Sequence, residues 1–161
     1  MPDRAGNRQH SEIRANFSAD NELHTRPIMK RSLKLSKFQI GTPRKHTQDL
    51  RIGATRRPPR GVRRRDWTRH GYFDVWLPTV APSHKLIARF KRNFDDPKRQ
   101  RAFFNSYERE LMASTSARQT LQLLAQIAQR TPISIGCYCA DESRCHRSRL
   151  YKIIRRFAVK R

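Results

Sequence analysis

The chain has 161 residues, the size of one domain with at most a tail besides. Lysine and arginine number 36 against 13 acidic residues, a formal charge of +23 that favours anionic partners: nucleic acid or phosphorylated small molecules. No run of about 18 apolar residues is present, the N-terminus lacks the apolar core of a signal peptide, and the three cysteines are clustered, which argues against a membrane partner and a secreted disulfide framework and makes the cytoplasm the expected compartment.

The first thirty residues are polar, charged and aperiodic, and are expected to form a disordered basic tail (1–30) ahead of a folded domain (31–161). Met29 stands just before the first ordered pattern and is an expected alternative translation start. Intact mass of the natively expressed protein decides this, since a mass that includes residues 1–28 excludes it.

Lys37–Gly41 alternates polar and apolar residues and reads as a strand. Leu50–Arg56 reads as a second, stopped by Pro58 and Pro59, which cannot donate to a ladder. Arg56 to Arg69 then holds seven arginines in fourteen residues, broken by Pro58, Pro59 and Gly61, and reads as a loop. Tyr72–Pro78 is aromatic and extended, a short strand or packed segment.

Three helices follow. Ser83 caps the first, with Leu86, Ile87 and Phe90 as its apolar stripe. Asp96 before Pro97 is a strong helix start for the second, whose stripe is Phe103, Phe104, Tyr107 and Leu111. The third spans about 116–130, with Leu121, Leu124, Ala125 and Ala128 on one side. Ile133–Cys139 is a continuous apolar run of the kind buried in a parallel sheet. A basic amphipathic helix over 146–158 closes the domain. Strands alternating with helices predict an α/β fold: a small three-layer sandwich, its sheet mostly parallel, with helices on both faces.

All three cysteines lie within nine residues, Cys137 to Cys145, followed at once by His146, Arg147 and Ser148. This places chemistry-bearing side chains between the carboxyl end of a strand and the N-terminus of a helix, where free N–H groups favour an anion. Arg144, Arg147 and Ser148 are therefore read as anion-binding, together with Arg56, Arg57 and Arg60 of the arginine loop, since guanidinium forks hold phosphate bidentately. The same positive field favours a thiolate, so Cys139 or Cys145 is the candidate nucleophile, with His146 as base or orienter. No cofactor is called for by this reading. The alternative is zinc: Cys137, Cys139, Cys145 and His146 are four suitable ligands, although the usual C-x2-C knuckle is absent and the adjacent 145 and 146 are expected to diverge. The plain structural readings are small buried cysteines and a solvated basic loop. Asp74, Trp76, Tyr107, Glu110 and Asp141 are read as supporting residues. Trp67 and Tyr72 flank the arginine run, as aromatics do in single-strand nucleic-acid grooves, so a non-catalytic nucleic-acid-binding module is the other reading.

The segment Cys137–Ser148 resembles the C-terminal motif of the DUF488 family of uncharacterised bacterial and archaeal proteins. Three further segments are similar to that family in order: Arg56–Gly61, Trp76–Ser83 and Phe104–Leu111. Pro58 departs from the family pattern by standing where many members carry tryptophan, and the arginines 63–65 lie outside it. The resemblance covers about residues 35–158 and implies an α/β fold with a site but no settled activity.

Overall fold

A computed structural model of the chain describes residues 32–46, 50–90 and 94–159. The expected N-terminal tail and the Met29 start lie outside the described residues. The elements run β1 (Leu35–Gln39), β2 (Leu50–Gly53), β3 (Val75–Trp76), α1 (His84–Phe90), α2 (Pro97–Ala113), α3 (Thr115–Ala128), β4 (Ile133–Cys137) and α4 (His146–Val159). Two 3-10 turns, Arg64–Asp66 and Pro78–Val80, lie among them. The chain is α/β, with one four-stranded parallel sheet in the order β1-β4-β2-β3.

The last strand fills the centre. Ile133 of β4 is level with Leu35 of β1 on one side and Leu50 of β2 on the other. Flanked on both edges and covered on both faces, β4 is buried at every position, which is why its sequence is apolar without alternation.

The two faces are built differently. Leu35, Ile52, Ile133 and Ile135 join Leu121, Leu150 and the other buried residues of the four helices in the main core. The opposite face carries Ser36, Phe38, Arg51, Gly53, Ser134 and Gly136, the alternate residues of the same strands. With two glycines, two serines and a buried arginine among them, these residues offer no continuous apolar stripe for a long helix. The cover is a layer of rings from Phe38, Phe73, Trp67 and Trp76, in a segment whose helical element is the turn Arg64–Asp66. Gly53 and Gly136 make room for it, since a Cβ at either would overlap the Phe73 or Phe38 ring. Arg51 is fully buried there, its guanidinium 4.4 Å from the Phe38 ring and bonded to the carbonyls of Thr42, Pro43 and Gly71 at 2.7–2.9 Å.

Helix starts follow local chemistry. Asp96 accepts from the Lys98 N–H at 2.9 Å, with Pro97 in the first helical position. The Ser83 hydroxyl accepts from the Leu86 N–H at 3.0 Å. Ser114 both ends α2 and caps α3, accepting from the Ala117 N–H at 3.2 Å. Strand limits differ from the sequence reading: the first strand ends at Gln39 rather than Gly41, the aromatic segment pairs only at Val75–Trp76, and the central strand ends at Cys137 rather than Cys139. The first strand begins at Leu35 rather than Lys37 because its register with β4 starts there, and the second ends at Gly53 as the chain passes into an extended link. No helix among the described residues is long and apolar enough to cross a membrane.

Candidate functional site

Beyond Cys137 the chain leaves the sheet and turns through Tyr138–Arg144 before α4 begins. Arg147, in the first turn of α4, reaches back into this loop. Its Nη1 donates to the carbonyl of Cys139 at 2.5 Å and of Cys137 at 3.3 Å, and Nη2 reaches that of Ala140 at 3.5 Å. Other bonds close the loop on itself. Asp141 accepts from the Ser143 N–H and hydroxyl at 2.8 and 2.7 Å, and the Ser148 hydroxyl donates to the Glu142 carbonyl at 2.8 Å. Two ion pairs, Lys37 with Glu142 and Arg144 with Asp95, fasten its outer side.

The three sulfurs gather inside this turn, all within 4.8 Å of one another, with Cys137 and Cys139 3.7 Å apart. Cys137 and Cys145 are buried, whereas Cys139 is exposed. His146 Nδ1 lies 3.8 Å from Cys137 Sγ and 3.9 Å from Cys145 Sγ. Its Nε2 is 2.7 Å from the carbonyl oxygen of Ala54. A carbonyl can only accept, so Nε2 carries the proton and the Nδ1 lone pair faces the sulfurs. Burial lowers the His146 pKa and keeps the ring neutral. Hydrogen bonds from Cys137 and Cys145, with the Arg147 charge nearby, hold Cys139 far below the ordinary thiol range. Donating to Cys139 raises Cys137, and the neighbouring sulfurs raise Cys145, with burial adding to each. Adjacent residues 145 and 146 do not diverge as the sequence suggests. Cys145 stands just before the helix and His146 is its first residue, and their side chains meet with Sγ 3.9 Å from Nδ1.

A cleft of about 380 Å³ opens over this group. Cys137, Cys139 and His146 line it, as do the apolar side chains of Ile87, Phe90, Phe94 and Phe103 from α1, α2 and the link between them. Arg57 brings charge to it, as does Arg144 with its partner Asp95. Phe103 meets Phe90 and Phe94 edge to face, with ring centroids 5.7 and 5.3 Å apart, so these walls are braced against one another.

Residues 35–157 match a family model described as the active DUF488-N3 subclade, DUF488-N3a. The chain belongs to the DUF488 family. No curated protein and no solved structure matches it. The four motif segments of this DUF488 domain meet around the cleft or directly behind it. From Arg56–Gly61, Arg57 lines the cleft, and so does Arg56, but the Arg56 guanidinium is engaged with the carbonyls of Pro82 and Ala81 at 2.9 and 2.5 Å. Arg60 is exposed and lies apart from the cleft. From Trp76–Ser83, Trp76 donates to the carbonyl of Thr55, a cleft residue, at 2.8 Å. From Phe104–Leu111, Tyr107 sets its ring edge on His146, with centroids 5.6 Å apart, and donates to the Val80 carbonyl at 2.5 Å. Glu110 accepts from the hydroxyl and N–H of Ser83 at 2.6 and 3.1 Å, fixing the start of α1.

Other sequence candidates sit elsewhere. Asp74 accepts from the Arg51 N–H at 2.8 Å and Arg44 at 2.6 Å, away from the cleft. Asp141 and Ser148 serve the loop's internal bonds. Arg147 is buried with its Nη nitrogens turned to carbonyls, so it shapes the loop. Phe90 and Phe103 belong to the core stripe as the sequence indicates, and they also wall the cleft, a role that sequence reasoning missed along with Phe94. The available signal was the density of phenylalanine at 90, 94, 103 and 104 within a basic stretch.

Proposed function

We propose that this DUF488 domain binds a small anionic molecule with an apolar, ring-sized body in the cleft, and that the sulfur of Cys139 attacks it. The observation that carries this is the position of Cys139: it is the exposed member of the sulfur cluster, in a cleft also lined by Arg57, Arg144 and three phenylalanines. Arginine forks hold the anionic group by charge-assisted hydrogen bonds, and the aromatic walls bury the remainder. The reaction class is nucleophilic substitution: the Cys139 thiolate forms a bond to an electrophilic carbon fixed at that depth as the bond from that carbon to its leaving group breaks, and the leaving group departs with the electron pair.

Paired alkylating agents test both halves. Iodoacetate, which is anionic, should modify Cys139 faster than neutral iodoacetamide does, each rate taken relative to a free thiol. Arg57→Ala with Arg144→Ala should remove that preference. No cysteine reacting faster than a free thiol, or a preference that survives the double substitution, would sink the reading.

One observation favours nucleic acid as a second reading. Of the seven arginines from Arg56 to Arg69, all but Arg56 are exposed. A protein that contacts phosphates with several of them loses affinity steeply as salt rises. Binding to a single-stranded oligonucleotide that is flat with salt concentration excludes this reading.

A further inference from the structure

We infer that Cys137, Cys139, Cys145 and His146 bind one zinc ion at the buried end of the cleft. The donors are of the right kind and number, since thiolate sulfur and neutral imidazole in a set of four are what zinc takes in a tetrahedral site. The spacing of the nearest donor pairs fits as well, and the three sulfurs lie within 4.8 Å of one another, so the widest pairs close in on the ion. With Zn–S near about 2.3 Å and Zn–N near about 2.0 Å, a tetrahedron separates its ligand atoms by roughly 3.5–3.8 Å. Here Cys137 Sγ lies 3.7 Å from Cys139 Sγ and 3.8 Å from His146 Nδ1, and Cys145 Sγ lies 3.9 Å from the same nitrogen.

Two features outside the four ligands belong to such a site. The first is the bond from His146 Nε2 to the Ala54 carbonyl, which fixes the tautomer that leaves Nδ1 free to coordinate. The second is Arg147. It is 3% exposed, and among the described residues no carboxylate lies within ion-pair distance of it. Its Nε is buried without a partner. A buried cation calls for a counter-charge. Zinc held by three thiolates and one neutral imidazole carries a net charge of about −1, beside the loop that Arg147 holds.

This inference deepens the reading of Cys139 and rests on it in one respect, that the same sulfur meets the ligand. Cys139 is the exposed ligand of the four. Coordination keeps it deprotonated and available for attack, a recognised way to activate a nucleophile. Cys137, Cys145 and His146 anchor the ion behind it.

The full chain, expressed with added zinc, should hold one zinc per chain by elemental analysis. Its cobalt(II) form should show the intense visible bands of a tetrahedral thiolate site. Cys145→Ser and His146→Ala should each weaken zinc binding by at least about tenfold. In the folded wild type, a mercurial reagent should release the zinc in step with the loss of three thiols, which removes dependence on how the variants fold. Wild type that carries less than about a tenth of an equivalent, with cobalt left octahedral, overturns the zinc site. In that event, fast alkylation of Cys139 that depends on Arg57 and Arg144 still supports the cleft reading. One bound zinc with Cys139 no more reactive than a free thiol supports the metal site and overturns the role of Cys139 as the attacking sulfur.

Discussion

Arg147 Nη1 lies 2.5 Å from the carbonyl oxygen of Cys139, so the curvature of the cysteine loop is set by a side chain of the helix that follows it. The same guanidinium also bonds Cys137 and Ala140. A lysine ammonium lacks the planar fork that spans several carbonyls. Arg147→Lys should destabilise the domain by about 1–2 kcal/mol, and Arg147→Met by about 2–3 kcal/mol, since carbonyls would be left buried and unpaired. Urea unfolding measures both; equal midpoints for wild type and Arg147→Met would remove the loop-pinning role.

The ring-covered face of the sheet predicts a size limit at its glycines. Gly136→Ala should cost about 2–3 kcal/mol, because the new methyl overlaps the Phe38 ring in the middle of the sheet. In a Phe38→Leu background the same change should cost markedly less. A thermodynamic cycle over the two positions gives the coupling, and additive effects would show that the ring does not set the limit.

Ser83 stands between Glu110 and the first turn of α1. Ser83→Ala should lower stability by about 1 kcal/mol through loss of the cap. Because α1 carries Ile87 and Phe90 of the cleft, the substitution should also weaken the preference of Cys139 for iodoacetate. Unchanged alkylation alongside lowered stability would confine Ser83 to a capping role.

Acid should unfold the domain through two carboxylates. Burial pushes Asp74 up, but bonds from Arg44 and the Arg51 N–H outweigh it and hold its pKa below 3.8. Burial likewise pushes Glu108 up, while Arg156 and Arg149 hold it below 4.5. A carboxyl depressed on folding stabilises above its unfolded pKa, and that contribution is lost as pH falls through the folded value. Stability should therefore decline from about pH 4.5 downwards. Asp74→Asn should flatten this acid limb, which chemical unfolding at a series of pH values reads directly.

Much of this architecture was legible because it is local. Asp96 before Pro97 marks the start of α2 without reference to anything distant, and the apolar run from Ile133 announces a central strand. The motif segments placed the domain in its family. The site was legible as an address but less so as a geometry. That Phe90 and Phe103 wall a hollow as well as joining the core depends on how α1 and α2 pack beside the cysteine loop, which their periodicity does not encode. Arg147 looks like an anion binder at a helix start, and only the return of the loop past it gives its nitrogens carbonyls instead. Nothing local in the sequence marks Arg51 for burial. Its burial depends on Phe38 and on the carbonyls of Thr42 and Gly71, none of which is its neighbour in sequence.

The strand order has a consequence for the growing chain. β1 and β2 are not hydrogen-bonded to each other; each pairs with β4, which is made after more than a hundred residues have been synthesised. Until Ile133–Cys137 leaves the ribosome, the two earlier strands have no common partner, and the sulfurs have no floor to stand on. Assembly of the sheet and birth of the site are thus one late, long-range event, expected to be slow for a domain of this size. A nascent chain halted before Ile133 should remain open to protease, and one carried through α4 should become resistant in a single step.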